Sequence, residues 1–223
     1  MDVAARGDCA AVNVYFHTFG CRANQYDTDQ VRQAFFEAGA VAVENPAEAD
    51  LAVVNSCTVT NESEVKLRRF VRHLARSGAV ETIVMGCGAA LDDGAIAALP
   101  SVRAVVANAN PEAVLNAAGL PLTPGRRPGL SSPPDPLSMR RGGTKSRALL
   151  KIQDGCDEHC TFCATTLARG ANRSRSVGEL VDEARALAEQ HAEIVLTGVH
   201  IGTYGQDRSG DAGAPAPGEQ SVV

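Results

Sequence analysis

The chain has 223 residues, is 44% hydrophobic and 21% charged, and carries a formal net charge of −5 at pH 7. This is an ordinary globular composition with room for one large or two small domains, and it excludes a protein coated in basic surface, so nucleic acid would have to be met by local patches. No apolar run reaches membrane-span length and no basic segment precedes an apolar one at the N-terminus, so a soluble, cytoplasmic protein is expected. Aromatic residues make up only 4% and tryptophan is absent, which leaves the core to aliphatic side chains.

The first segment alternates strand-like and helix-like runs. "VNVYFHT" (12–18) is β-branched and aromatic, and "DTDQVRQAFFEAGA" (27–40) opens on an acidic turn and carries a glycine after its apolar face. Then come "LAVVNS" (51–56), "NESEVKLRRFVRHLARSG" (61–78), "TIVMG" (82–86), "LDDGAIAALP" (91–100), "VRAVVAN" (102–108) and "PEAVLNAAG" (111–119). Asn61 with Glu64 three residues on is a capping-box pattern, and Gly78 supplies the stop. Continuous apolar strands separated by helical runs predict an α/β domain over 11–119, a parallel sheet with helices on both faces.

Residues 120–146 are rich in Pro, Gly, Ser and Arg without periodicity, the composition of a linker. The rhythm then resumes. "RALLKIQDG" (147–155) is a strand leading into a cysteine-rich loop, and "SVGELVDEARALAEQ" (176–190) is an amphipathic helix with a Ser cap and Glu179 three residues later. "AEIVLTGVHIG" (192–202) is the next strand and turn. The second unit, 147–207, thus begins and stops after two strands and one helix. Residues 208–223 read as a disordered tail.

Seven cysteines lie at positions 9, 21, 57, 87, 156, 160 and 163. An odd count without a leader does not read as a disulfide framework; clustered cysteines in a reducing compartment hold metal or do redox chemistry. Cys9, in "AARGDCAA", stands apart. Cys21, Cys57 and Cys87 each follow a predicted strand, and in a parallel sheet the C-terminal strand ends share one edge where ligands bind. These three thiols are therefore expected to converge, with Gly20 and Gly86 allowing tight turns. Cys156, Cys160 and Cys163 form a second set with the spacing C-x3-C-x2-C inside "GCDEHCTFCATTLARG" (155–170). Structural zinc is closed by four ligands, whereas a [4Fe–4S] cluster held by three thiolates keeps one iron open. His159 is the alternative fourth ligand for zinc, although its place within a short loop fits a solvent-facing side chain better.

"CDEHCTFC" resembles the signature of radical S-adenosylmethionine enzymes. In that superfamily the open iron chelates the methionine end of the cofactor, and reductive cleavage yields a 5′-deoxyadenosyl radical. "LARG" (167–170), "RSRS" (173–176), "TFGCRANQYDTD", "VVNSCTVTNES" and "MGCGA" narrow the resemblance to the methylthiotransferases, over about residues 12–207. "GCRANQ", "CTVTNE" and "LTGVHIGTYG" are most similar to the branch that methylthiolates C2 of N6-threonylcarbamoyladenosine at position 37 of tRNA. Sibling branches act on isopentenyladenosine in tRNA or on a ribosomal protein. The resemblance implies a transferase with two [4Fe–4S] clusters: Cys156, Cys160 and Cys163 bind the radical-generating one, and Cys21, Cys57 and Cys87 an auxiliary one that carries or delivers sulfur. It places Phe162 near the adenine of S-adenosylmethionine, and Thr197 and Gly198 near its amino group. It also implies a tRNA substrate and an electron donor such as flavodoxin or ferredoxin.

Asn24 and Asn55, beside the auxiliary cysteines, either orient cluster sulfurs or are ordinary turn asparagines. Arg68, Arg72 and Arg76 form a stripe that is either a solvated helix face or an RNA contact, and Arg169, Arg173 and Arg175 are candidates for phosphate contacts. "ATTLARG" and "MGCGAA" depart from the family pattern around the clusters without removing a cysteine. A full (β/α)8 barrel takes about 250 residues, so the second unit is expected to be a C-terminally truncated radical-SAM core. That expectation keeps open an inactive fragment that binds iron–sulfur clusters or zinc.

Overall fold

In the computed structural model, strands β1 (Asn13–Thr18), β2 (Val41–Val43), β3 (Leu51–Ser56), β4 (Glu81–Gly86) and β5 (Val102–Ala107) form one sheet in the order β2–β1–β3–β4–β5, every pair parallel. The described residues are 11–57, 61–77, 80–121 and 147–208. Cys9, Gly78, the side chain of Asn61, and most of the expected linker and tail lie outside them.

Helices cover both faces, as the continuous apolar strands require. α1 (Arg22–Glu37) and α4 (Pro111–Ala118) pack on one face, where Val31, Phe35, Val114 and Leu115 meet Val14, Phe16, Val53, Ile83 and Met85. α2 (Asn61–Ser77) covers the other, setting Leu67, Val71 and Leu74 against Ala52, Val54 and Val84. Side chains alternate across a strand, so Val53 serves one core while Ala52 and Val54 serve the other. β3 is consequently buried at every position. The opposite face of α2 leaves Arg72 and Arg76 exposed, with Arg68 paired to Glu64.

The second unit has two parallel strands, β6 (Arg147–Lys151) and β9 (Glu193–Thr197), in register with Leu149 beside Val195. Between them in sequence lie an antiparallel pair, β7 (Gln153–Asp154) and β8 (Arg173–Ser174), and helices α5 (Thr165–Arg169) and α6 (Val177–Ala188). α6 has the expected capping box, Ser176 and Glu179 bonding reciprocally. Among the described residues β6 and β9 pair only with each other, and Leu196, Val177 and Val181 are exposed on this unit.

Two expectations need correction, and two short elements went unpredicted. α1 begins at Arg22, five residues before the predicted start at 27, because the strand-end turn at Gly20 and Cys21 launches the helix without a side-chain cap. Asp27 therefore sits inside the helix and is buried. Residues 91–100 form turns: Asp92 takes the backbone N–H groups of Ile96 and Ala97, and only α3 (Cys87–Ala90) is helical here. The edge strand β2, three residues long, is too short for a period-2 signal, and five-residue α5 is too short for a helical one. No helix among the described residues is long and apolar enough to cross a membrane.

Candidate metal and cofactor site

Cys57 and Cys87 immediately follow β3 and β4, and Cys21 comes three residues after the end of β1; these strands are three consecutive neighbours in the sheet. The strand-end turns press together. A Cβ on Gly20 (φ +116°) would lie 3.0 Å from Cys57 Cβ and 3.2 Å from its sulfur, and one on Gly86 (φ +93°) would lie 2.1 Å from Asn55 Oδ1. Ser56 ties β3 to β4 by donating to the Met85 carbonyl at 2.6 Å and accepting from Ala89 N–H at 3.0 Å. Asn24 and Asn55 are both buried and bond each other: Asn24 Nδ2 donates to Asn55 Oδ1 (2.9 Å), and Asn55 Nδ2 donates to the Asn24 carbonyl (2.9 Å). Asn24 Oδ1 also accepts from the Cys21 thiol at 3.2 Å. Cys21 is exposed, whereas Cys57 and Cys87 are buried.

The second unit reaches this edge through Arg169, at the end of α5. Its side chain is buried, and it donates from Nε to Cys87 Sγ (3.1 Å), from NH1 to Asp154 (2.9 Å), and from NH2 to Asp27 (2.9 Å) and to Asn24 Oδ1 (3.2 Å). Lys151 bonds the same two carboxylates, Asp154 at 2.9 Å and Asp27. Two cations and two carboxylates thus close a ring between the units. Burial alone would raise the Asp154 carboxyl, but Lys151 and Arg169 outweigh it and hold the group at about 2. Burial opposes the Arg169 charge as well, and Asp27 and Asp154 more than offset it, raising the group. Burial pushes the Cys87 thiol up, with the Arg169 charge and hydrogen bond working in the other direction.

Beside this ring, Arg175 pairs with the buried Glu183 (2.6 Å), and both bond the Tyr26 hydroxyl on α1. Of the three arginines expected at phosphates, Arg169 and Arg175 are thus engaged inside the protein. Arg173 is exposed, with NH2 donating to the Arg169 carbonyl (2.9 Å) and NH1 to the Ala171 carbonyl (3.4 Å).

The loop of the second thiol set is held by backbone and hydroxyl bonds. Cys156 N–H donates to the Gly170 carbonyl (3.0 Å), and Thr166 Oγ1 donates to the carbonyls of Cys156 (3.0 Å) and Glu158 (3.2 Å). Cys163 Sγ lies 3.1 Å from the Thr165 hydroxyl, and hydrogen bonding from Thr165 lowers its thiol. The Thr165–Thr166 pair of "ATTLARG", a departure from the family pattern, therefore stitches the loop. Cys160, Cys163 and His159 are exposed. Phe162 stands out from this loop at 90% exposure.

Thr197 is buried at the end of β9 and its carbonyl accepts from Ile152 N–H. Gly198 lies against Gln153, whose Oε1 accepts from the backbone N–H groups of Val199 and His200 (2.9 and 2.8 Å). Gln153 donates to Asn172 (2.7 Å), and His200 Nδ1 approaches Cys156 Sγ at 3.8 Å. Sequence reasoning passed over Asp27, Lys151, Gln153, Asp154 and His200; the adjacency of Gln153 and Asp154 to the cysteine loop was the one available signal. Among the described residues no three or more His, Cys, Asp or Glu side chains are gathered to hold a metal ion. A single ion draws all its donors onto one atom, whereas a four-iron cluster takes one thiolate at each corner, so wider spacing suits it.

Residues 13–107 match the model of the uncharacterized protein family UPF0004, and residues 150–207 match that of the radical SAM superfamily. The chain is 38% identical to the threonylcarbamoyladenosine tRNA methylthiotransferase MtaB of Bacillus subtilis over 203 residues, 87% of this chain and 45% of that protein. It is 32% identical to the protein of the same name from Thermotoga maritima (87% and 45%). Against the tRNA-2-methylthio-N(6)-dimethylallyladenosine synthase of Sphingopyxis alaskensis it is 34% identical (88% and 47%). The chain spans about half the length of the curated relatives it matches. The parallel α/β unit thus matches the UPF0004 model and the cysteine-loop unit the radical SAM superfamily model, and across both units the chain is similar to tRNA methylthiotransferases.

Proposed function

We propose that the chain supplies the two thiol sites and the S-adenosylmethionine-facing loop of a cytoplasmic enzyme that methylthiolates C2 of N6-threonylcarbamoyladenosine at position 37 of tRNA. The observation that carries this reading is the approach of the two thiol sets: three cysteines at adjacent strand ends, and Arg169, from the loop of the other three, bonded to Cys87. Cys21, Cys57 and Cys87 would hold an auxiliary [4Fe–4S] cluster. Cys156, Cys160 and Cys163 would hold a second, with S-adenosylmethionine at its open corner beside Phe162, Thr197 and Gly198. Bound there, these groups supply one-electron reductive chemistry and a source of sulfur and methyl.

The residues present fit that role. Six thiols are the donor set iron–sulfur clusters take, and the close turns at Gly20 and Gly86 keep side chains out from between the strand ends. The protein's own part is to space the thiols, to seat the cofactor against the Gln153-held turn at 198–200, and to keep Arg169 charged beside Cys87. Of Arg169, Arg173 and Arg175, the exposed Arg173 is the one that would meet an RNA phosphate, and a flavodoxin or ferredoxin would bring the electrons. Relatives acting on threonylcarbamoyladenosine and on dimethylallyladenosine both match, and the motifs around Cys21 and Cys57 favour the former.

A second reading is cluster binding without turnover; among the described residues β6 and β9 pair only with each other, and Leu196 is exposed. Anaerobic reconstitution with iron and sulfide tests the cluster assignment: about eight irons per chain are expected, falling to about half when Cys156, Cys160 and Cys163 become Ala. Stoichiometric zinc without iron would overturn it. The loaded chain is then given S-adenosylmethionine, reductant and tRNA bearing either nucleoside, with products read by mass spectrometry. A methylthio group on threonylcarbamoyladenosine supports the first reading, and full iron with no product supports the second.

A further inference from the structure

Arg169 links the two thiol sets, one through its side chain and the other through its neighbours Thr166 and Gly170. At its backbone end, the helix it closes is fastened to Cys156: Thr166 bonds the Cys156 carbonyl, and Gly170 accepts from the Cys156 N–H while donating to the Thr166 carbonyl at 2.8 Å. At its far end, Nε–H donates to Cys87 Sγ at 3.1 Å. One NH2 bond goes to Asn24 Oδ1, the atom that also accepts from the Cys21 thiol, so the guanidinium reaches a second auxiliary cysteine through a single intermediary. Asp27 and Asp154 take its remaining directions.

We propose that Arg169 is a positioning residue that spans the two thiol sets, setting their separation by the length of one side chain and directing an N–H···S hydrogen bond into the auxiliary site. This rests on the reading of Cys87 as a cluster ligand. The geometry favours this role over phosphate binding: the side chain is 8% exposed, and both of its carboxylates approach at 2.9 Å, leaving no face for an anion. It also singles out arginine. The planar fork aims Nε at sulfur while both terminal nitrogens hold carboxylates, whereas a lysine has one nitrogen to share among those partners. Hydrogen bonds and positive charge beside cluster sulfurs stabilise the reduced, more negative cluster, so they raise its reduction potential.

The test uses the full chain with Cys156, Cys160 and Cys163 changed to Ala, so that iron reports the N-terminal thiols alone. After anaerobic reconstitution, the midpoint potential is read by mediated titration followed by electron paramagnetic resonance, for Arg169, R169K and R169Q, alongside iron content and thermal melts. Both variants are expected to shift the potential to more negative values, with R169K recovering part of the melting temperature lost in R169Q because it keeps a charge beside Asp27 and Asp154. That persistent potential shift in a better-folded R169K separates positioning from simple support of the fold. Iron retained with an unmoved potential in R169K overturns the proposal alone. Absence of iron in the parent overturns the Cys21–Cys57–Cys87 cluster reading, and the proposal falls with it.

Discussion

Asp27→Asn tests the ring that joins the two units. Asparagine matches aspartate in shape, so no cavity forms, and the change isolates one negative charge. Asp27 is 8% exposed and faces Arg169 (8%) at 2.9 Å and Lys151 (13%). Its loss leaves two buried cations with Asp154 alone between them, and breaking a buried pair costs about 3–5 kcal/mol. Asp154 still bonds both cations at 2.9 Å, which puts the expected loss at the lower end, about 3 kcal/mol. At about 2–4 °C per kcal/mol for a chain of this size, the melting temperature should fall by about 6–12 °C. The assay is urea unfolding of the wild type, D27N, K151M and D27N/K151M at equal cofactor loading, followed by far-UV circular dichroism and near-UV absorption to check that the transitions coincide. Restoring charge parity should make the double variant more stable than the sum of the singles predicts. A D27N within about 0.5 kcal/mol of wild type, or strictly additive effects, would refute the claim that these four side chains act as one buried network.

Two further outcomes follow from local geometry. Gly86→Ala would thrust a Cβ against Asn55 Oδ1 and to 2.8 Å from the Ser56 carbonyl, in a backbone conformation (φ +93°, ψ −159°) that only glycine adopts readily. The expected cost is at least about 3 kcal/mol, with reduced iron uptake by the N-terminal thiols, and wild-type melting would refute it. His17 stacks on Phe70 with ring centroids 4.2 Å apart, and burial lowers its pKa from 6.5. The unfolded chain therefore takes up this proton first as pH falls, so the associated stability is present above about pH 6.5 and lost below it. His17→Phe should flatten the fall in urea midpoint between pH 7.5 and 5.5, and an unchanged slope would count against a buried neutral His17.

The sheet was legible because its strands are continuous apolar runs, and each of Cys21, Cys57 and Cys87 falls within three residues of a run's end. Parallel topology then assigns all three to one edge without further information. The start of α1 was not legible, since its launch depends on a turn conformation and leaves no capping side chain to read. Asp27 consequently looked like a helix-opening acid, while its partners Lys151 and Arg169 stand 124 and 142 positions away. No local pattern encodes a pairing at that separation. Arg169 illustrates the same limit: a basic residue in a motif shows its charge, whereas its burial among two carboxylates and a sulfur exists only once both units are docked.

The two thiol sets also differ in when they come into being. Cys156, Cys160 and Cys163 are contiguous, so a nascent or unfolded chain already holds them within a few residues of one another. Cys21 and Cys87 are 66 positions apart, and their neighbourhood arises only after β1, β3 and β4 have paired. A ligand bound at the strand ends would thus favour the native sheet over the unfolded chain by mass action, while one bound in the short loop has far less leverage on the fold. If the strand-end thiols hold a cluster as proposed, iron starvation should be felt first as a loosening of the N-terminal sheet and as faster proteolysis of the whole chain. The contiguous loop would capture scarce metal without needing the sheet at all.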